Sequence, residues 1–177
     1  MGHIETRFRV AAPPDRVFDL VVDTVRYPVW QTMLQELLGR SGPADAVGAS
    51  FAGRYRVLGR NLHARFVVTS AIRPYLHELT GTTRGGWARW STHVMAEPDD
   101  PVRLGAAGSL VRIELEYRLS GDLFGGFLAL LTDPVLRREV ERTYGQFRVL
   151  AEAAEAAEAA AGHAPTREQP GSRPPAS

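Results

Sequence analysis

The chain has 177 residues, 44% of them hydrophobic, a formal charge of +1 and no cysteine. That length fits one domain of about 150 residues plus a modest extension, enough to bury roughly two-thirds of the unfolded surface and to enclose a cavity. The composition excludes disulfides and thiol chemistry. All 21 basic residues are arginine, which also removes Schiff-base chemistry on lysine.

Charges appear at once (Glu5, Arg7, Arg9), so the N-terminus does not read as a signal peptide. The longest greasy run, "LFGGFLALL", falls well short of the roughly 20 residues of a membrane span. The expectation is a cytoplasmic protein with no stable membrane insertion. Arginines alternate with acids instead of clustering, so nucleic acid is not an expected partner.

In chain order, "HIETRFRVAA" places Ile4, Thr6, Phe8 and Val10 on one face and Glu5, Arg7 and Arg9 on the other, a half-buried strand. "PPDRVFDLVVD" then starts a helix, with prolines in its first turn and Asp15 at its positive end. Val17, Phe18, Val21 and Val22 form its apolar stripe, and it is expected to end before Pro28. Six strand-like runs follow: Met33–Arg40, Ser50–Leu58, Leu62–Ala71, Leu76–Thr83, Trp87–Ala96 and Ser109–Leu119. The breaks "SGPADAVG", "GRN", "RP", "RGG" and "EPDDPVRLGAAG" separate them, with Gly85-Gly86 suited to a tight hairpin. Such short connections imply antiparallel neighbours.

From about Thr132 the period becomes helical, with Leu136, Val140, Thr143, Phe147, Leu150 and Ala154 at 3–4 spacing. "AEAAEAAEAAA" extends this helix with strong formers. One domain is expected over 1–161, and the Pro/Ser-rich 162–177 as a disordered tail.

Alternation sorts the strands into two faces. Val111, Ile113, Leu115, Tyr117 and Leu119 oppose Arg112, Glu114, Glu116 and Arg118. Phe51, Tyr55 and Val57 oppose Arg54 and Arg56, and Ala64, Phe66 and Val68 oppose His63 and Arg65. One sheet face is therefore Arg/Glu, suited to solvent and cross-strand ion pairs. The other is apolar and aromatic, and the C-terminal helix is its cover.

This order resembles the START-like superfamily, also called the SRPBCC or polyketide cyclase/dehydrase-like proteins. The resemblance spans about Ile4 to Ala161. It rests on "FRVAAPPDRVFDLVVDTVRYPVW" (Ala12-Pro13, Val17-Phe18, Asp23, Pro28, Trp30), "LLGRSGPADAVGASF", "VVTSAIRPYLHEL" and "FLALLTDPVLRREVERTYGQFRVLAEAAEA". It implies an α+β helix-grip fold: a curved seven-stranded antiparallel sheet around a long C-terminal helix, two short N-terminal helices and a hydrophobic cavity. On this reading Tyr27-Pro28 kinks the chain between the short helices, and Trp30 plugs their contact with the sheet.

The expected ligand-binding residues are Phe51, Tyr55, Phe66, Val68, Leu79, Trp90, Thr92, Ile113, Tyr117, Val140, Tyr144 and Phe147. Buried tyrosines among apolar neighbours suit a flat, mostly apolar ligand with a few oxygens; core packing is the other reading of each. His77 shares a face with Leu79 and is the best candidate for an inward histidine. His63 and His93 fall on the charged face, and His3 and His163 in the terminal segments. No histidine pair has zinc spacing, and no nucleophile or phosphate-loop motif occurs, so neither metal nor cofactor is expected.

Three functional readings follow. The chain binds a small hydrophobic molecule such as a lipid, isoprenoid or polyketide. Alternatively it is an aromatase/cyclase-like enzyme, with His77 and Tyr117 as candidates for proton transfer. Or it is an interaction module that presents the Ala/Glu helix end and the tail to a macromolecule. "LFGGFLALLTDP" could serve as a lid or as the start of the last helix. A scarcity of ionisable groups in the interior ranks the binder first.

Overall fold

The computed structural model describes residues 1–97, 108–119 and 129–162. The elements are β1 (Gly2–Val10), α1 (Pro14–Val22), α2 (Tyr27–Trp30), β2 (Leu34–Ser41), β3 (Ser50–Val57), β4 (Arg60–Ile72), β5 (Leu76–Thr83), β6 (Gly86–Ala96), β7 (Ser109–Leu119) and α3 (Ala129–Gly162). The strands form one antiparallel sheet in the order β1-β7-β6-β5-β4-β3-β2. Strands β2 to β7 follow one another as hairpins. β1 closes the other edge by pairing with β7 along its whole length, Gly2 opposite Tyr117 and Val10 opposite Ser109. Register shifts in β2 and β4 mark bulges, which bend strands and help the sheet curl. This is the helix-grip architecture.

Hairpin chemistry sets the turns one residue from where the glycines alone suggest. β3 and β4 join through Leu58-Gly59, with φ of 51° and 77°. Two positive values in a row match the strand twist, and Gly59 accepts one at no steric cost. β5 and β6 join through Arg84-Gly85, not Gly85-Gly86.

The outer face carries the charges. Arg54 pairs with Glu36, and Arg89 with Glu116 at 2.8 Å. Arg112 reaches both Glu5 (3.2 Å) and Glu114. The hydrogen bond from Arg7 holds the Glu5 carboxyl below its ordinary range.

The inner face meets α1, α2 and α3. Val17, Phe18, Leu20 and Val21 of α1 are buried; Leu20 replaces the expected Val22 in the stripe. Pro28 does not terminate α1. It lies in the first turn of α2, where a missing N–H costs nothing. The two aromatics of α2 divide their work differently from expectation. Tyr27 is the one that meets the sheet, edge-on to Phe51 at 5.2 Å. Trp30 packs on α3, 5.0 Å from Phe147 and 6.0 Å from Tyr144.

α3 buries Leu136, Val140, Thr143, Tyr144, Phe147 and Ala151. Ala154, expected in this stripe, is exposed and borders a surface hollow beside α1. Thr143 meets Thr32 at 2.7 Å, and Glu152 accepts the Ala11 N–H at 3.2 Å. The side chain of Leu119, most of "LFGGFLALLTDP" and residues 163–177 lie outside the described residues. No helix among the described residues is long and apolar enough to cross a membrane.

Candidate functional site

Sheet and α3 do not fill the space between them. A cavity of ≈ 120 Å³ remains, with walls from β3 to β7, α2 and α3. Its floor depends on missing side chains. Phe66 and Gly81 are cross-strand partners, and a Cβ built on Gly81 would sit 2.3 Å from the Phe66 ring. The ring therefore occupies the space over its neighbour instead of standing into the interior. Tyr117 lies over Gly2 in the same way, also at 2.3 Å. Phe51 stacks on Phe66 with centroids 5.2 Å apart.

Eight expected ligand-binding residues line this cavity: Phe51, Tyr55, Phe66, Leu79, Trp90, Thr92, Tyr117 and Tyr144. His77 lines it too. Val68, Ile113, Val140 and Phe147 lie on the inner face and are 2% exposed or less, but they are packed core and do not border the void. Ala64, Ala88 and Leu115 border it as their alternation suggests. Sequence reasoning missed Tyr27, Trp30 and Leu136 as wall residues, along with Thr82, Thr83 and Trp87 at the tip of the β5–β6 hairpin. By alternation Trp87 belongs with Arg89 on the charged face; at the end of a strand either face can border an opening, and no periodicity marks that.

The polar atoms of the wall are mostly engaged. Tyr27 donates its hydroxyl to the Val21 carbonyl (2.8 Å). Trp90 Nε1 donates to the Tyr144 hydroxyl (2.5 Å). His77 Nε2 lies 3.0 Å from the Ala44 carbonyl, so it carries the proton and donates. Burial pushes the phenols of Tyr27, Tyr55 and Tyr144 above their ordinary range. Burial lowers the His77 imidazole, with the Ala44 bond and Asp45 acting in the opposite direction. Among the described residues no carboxylate or arginine lines the cavity. Among the described residues no group of three His, Asp or Glu side chains could hold a metal ion.

The two candidates for proton transfer do not meet. In register His77 stands opposite Thr92 and hence Ile113, whereas Tyr117 stands opposite Ala88. They are two strands and four residues apart, roughly 10 Å across the sheet and about 13 Å along it. A shared proton needs a hydrogen-bond distance.

The family described as "Polyketide cyclase / dehydrase and lipid transport" matches residues 1–152. No curated protein matches the sequence. Among solved structures, one from Thermus thermophilus is 17% identical with a TM-score of 0.63, covering 86% of this chain and 99% of that one. A START superfamily protein from Mycobacterium smegmatis is 12% identical at 0.60, covering 88% and 98%. Truncated norcoclaurine synthase from Thalictrum flavum is 14% identical at 0.60, covering 84% and 92%. At these identities the likeness is one of fold.

Proposed function

The chain belongs to the polyketide cyclase / dehydrase and lipid transport family, and we propose on that premise that it binds a small hydrophobic molecule in the cavity between the sheet and α3. The observation that carries this reading is a hollow of ≈ 120 Å³ walled mostly by aromatic and aliphatic side chains, with no charged group among the described residues. Native interiors close such voids, because each forfeits dispersion contacts and costs stability. An apolar cavity of about 150 Å³ stays dry and accepts a benzene-sized guest, so the space suits one ring as it stands.

Binding is favoured over catalysis for two reasons. A general acid or base works best with a pKa near the operating pH, and burial drives Tyr55 and Tyr144 the other way. His77, the wall's histidine, has one nitrogen committed to Ala44.

Calorimetric titration with toluene and then naphthalene tests the proposal. The expected result is a single site of 1:1 stoichiometry for at least one of them. Absence of binding by both would remove the cavity as a ligand site. Native mass spectrometry of the protein from its own cells would then identify a co-purified occupant.

A further inference from the structure

The interleaving of arginines with acids holds for β1 and β7 and fails between them. Between Asp45 and Glu97 the one acidic side chain is Glu78, against seven arginines. Arg54, Arg73 and Arg89 are paired with Glu36, Asp19 and Glu116, and Arg65 donates to the Ser50 hydroxyl. Arg56, Arg60 and Arg84 are exposed and, among the described residues, have no acidic partner. The same holds for Arg118, which stands opposite Trp87 in register. All four lie at one end of the sheet. Arg56 and Arg60 flank the β3–β4 turn, Arg84 is in the β5–β6 turn, and Arg118 is one residue from the end of β7.

The tip of the β3–β4 hairpin is apolar against the preference of its turn. Leu58 adopts a φ of 51°, a conformation that asparagine, aspartate and glycine take at lower cost. Such an outlier points to a use for the side chain. The hairpin also projects: β4 runs four residues past the Ala64–Thr83 pair to Arg60, about 13 Å beyond the β5–β6 turn. An apolar tip between two arginines suits a boundary between water and hydrocarbon. The leucine enters, and the guanidinium groups stay among headgroups on their apolar stems. Trp87, half-buried beside Arg118, has the amphipathic ring that favours the same boundary. The four arginines spread from β3 to β7, four strand spacings or roughly 19 Å. That is too wide for one small anion and fits a field of separate headgroups.

We propose that this end of the sheet docks on an anionic lipid bilayer, with Leu58 at the front and Arg56, Arg60, Arg84 and Arg118 on the headgroups. Docking is electrostatic and reversible, and it does not depend on the cavity holding a ligand. It sets the cavity wall at Val57, Leu62 and Thr83 towards the bilayer, which shortens the path of an apolar guest through water.

Sedimentation of the whole chain with large unilamellar vesicles at low ionic strength is the test. One set is phosphatidylcholine alone; the other is an equal mixture with phosphatidylglycerol. The wild type is expected to bind the mixture and not the neutral vesicles, and to come off as salt screens the charges. Each arginine contributes about fivefold in affinity, so Arg56→Gln combined with Arg84→Gln lowers binding at least tenfold. Arg16→Gln removes a charge that is paired with Glu158 away from this end and leaves binding unchanged. Leu58→Asn lowers binding while the melting temperature stays or rises, since asparagine suits the turn. Equal binding to both vesicle types, or to neither, overturns the proposal. An Arg16→Gln variant as weak as the double one reduces the effect to overall charge and also overturns it, as does Leu58→Asn binding like the wild type. Capture of soluble polyglutamate without binding to the mixed vesicles overturns it in favour of an acidic protein partner. Arg56, Leu58 and Arg84 do not line the cavity, so toluene titration is expected to be the same in these variants. A chain that binds the mixed vesicles and no toluene keeps the docking surface and loses the ligand site.

Discussion

His77 is a titratable side chain only 2% exposed, edge-on to Phe18 at 6.2 Å and hydrogen-bonded to the loop carbonyl of Ala44. Desolvation favours its neutral form, so its folded pKa lies below the ordinary 6.5. The unfolded chain then binds the proton more readily than the folded one. The imidazole's contribution to stability is complete above the unfolded pKa and is lost as pH falls below it. Stability is expected to decline from pH 6.5 towards pH 5. Urea midpoints across that window should fall for the wild type and fall less for His77→Gln, which keeps a donor for Ala44. Parallel declines would show that His77 does not carry the effect. Alternation with Leu79 is enough to turn this residue inward from the sequence. Its partner lies 33 residues away in a loop, and no local pattern joins the two. Trp30 fails for the same reason: a short helix around a proline is legible, but which of its aromatics meets the sheet depends on how α2 is rolled against α3.

At the scale of elements, the sheet's faces follow directly from alternation, since a one-residue slip would invert every side chain. Its charged face should tolerate change. Arg54 is half-exposed and paired with Glu36 in open solvent, so Arg54→Ala is expected to shift unfolding free energy by no more than about 0.5 kcal/mol. A loss of several kcal/mol would mean that this face is covered. The inner face is less legible, because its hollow depends on glycines beneath aromatics. The alternation of β5 gives Gly81 no role, yet it is the seat of the Phe66 ring. Gly81→Ala must move that ring off the sheet and into the cavity. The expected cost is about 1–3 kcal/mol, together with loss of toluene binding by calorimetry. An unchanged melting temperature with intact binding would show that Phe66 does not need this seat. The helix stripe is similarly ambiguous: Leu136, Val140, Thr143 and Phe147 share a face at regular spacing, and spacing cannot tell which of them meets a packed neighbour and which a void.

Across the whole molecule the cavity lies where the bulged, bent sheet and α3 do not close on each other. Tyr144 stands at its edge and also walls a second hollow of ≈ 250 Å³ beside Thr6, Phe8 and Arg148. Two bulky substitutions on α3, one turn apart, separate a void from a packed core. Leu136 borders the cavity and is 5% exposed; Val140 is 0% exposed and does not border it. Leu136→Trp extends an existing side chain into empty space, so it should preserve the melting temperature and abolish toluene binding. Val140→Trp forces the same ring into a region without space and should cost about 1–3 kcal/mol or more. Thermal unfolding and titration of the two variants side by side decide the matter. Equal destabilisation by both would mean that the space beside Leu136 closes in solution, and the molecule would then have a core but no chamber. Tolerance of Leu136→Trp with toluene still bound would place the guest outside this cavity.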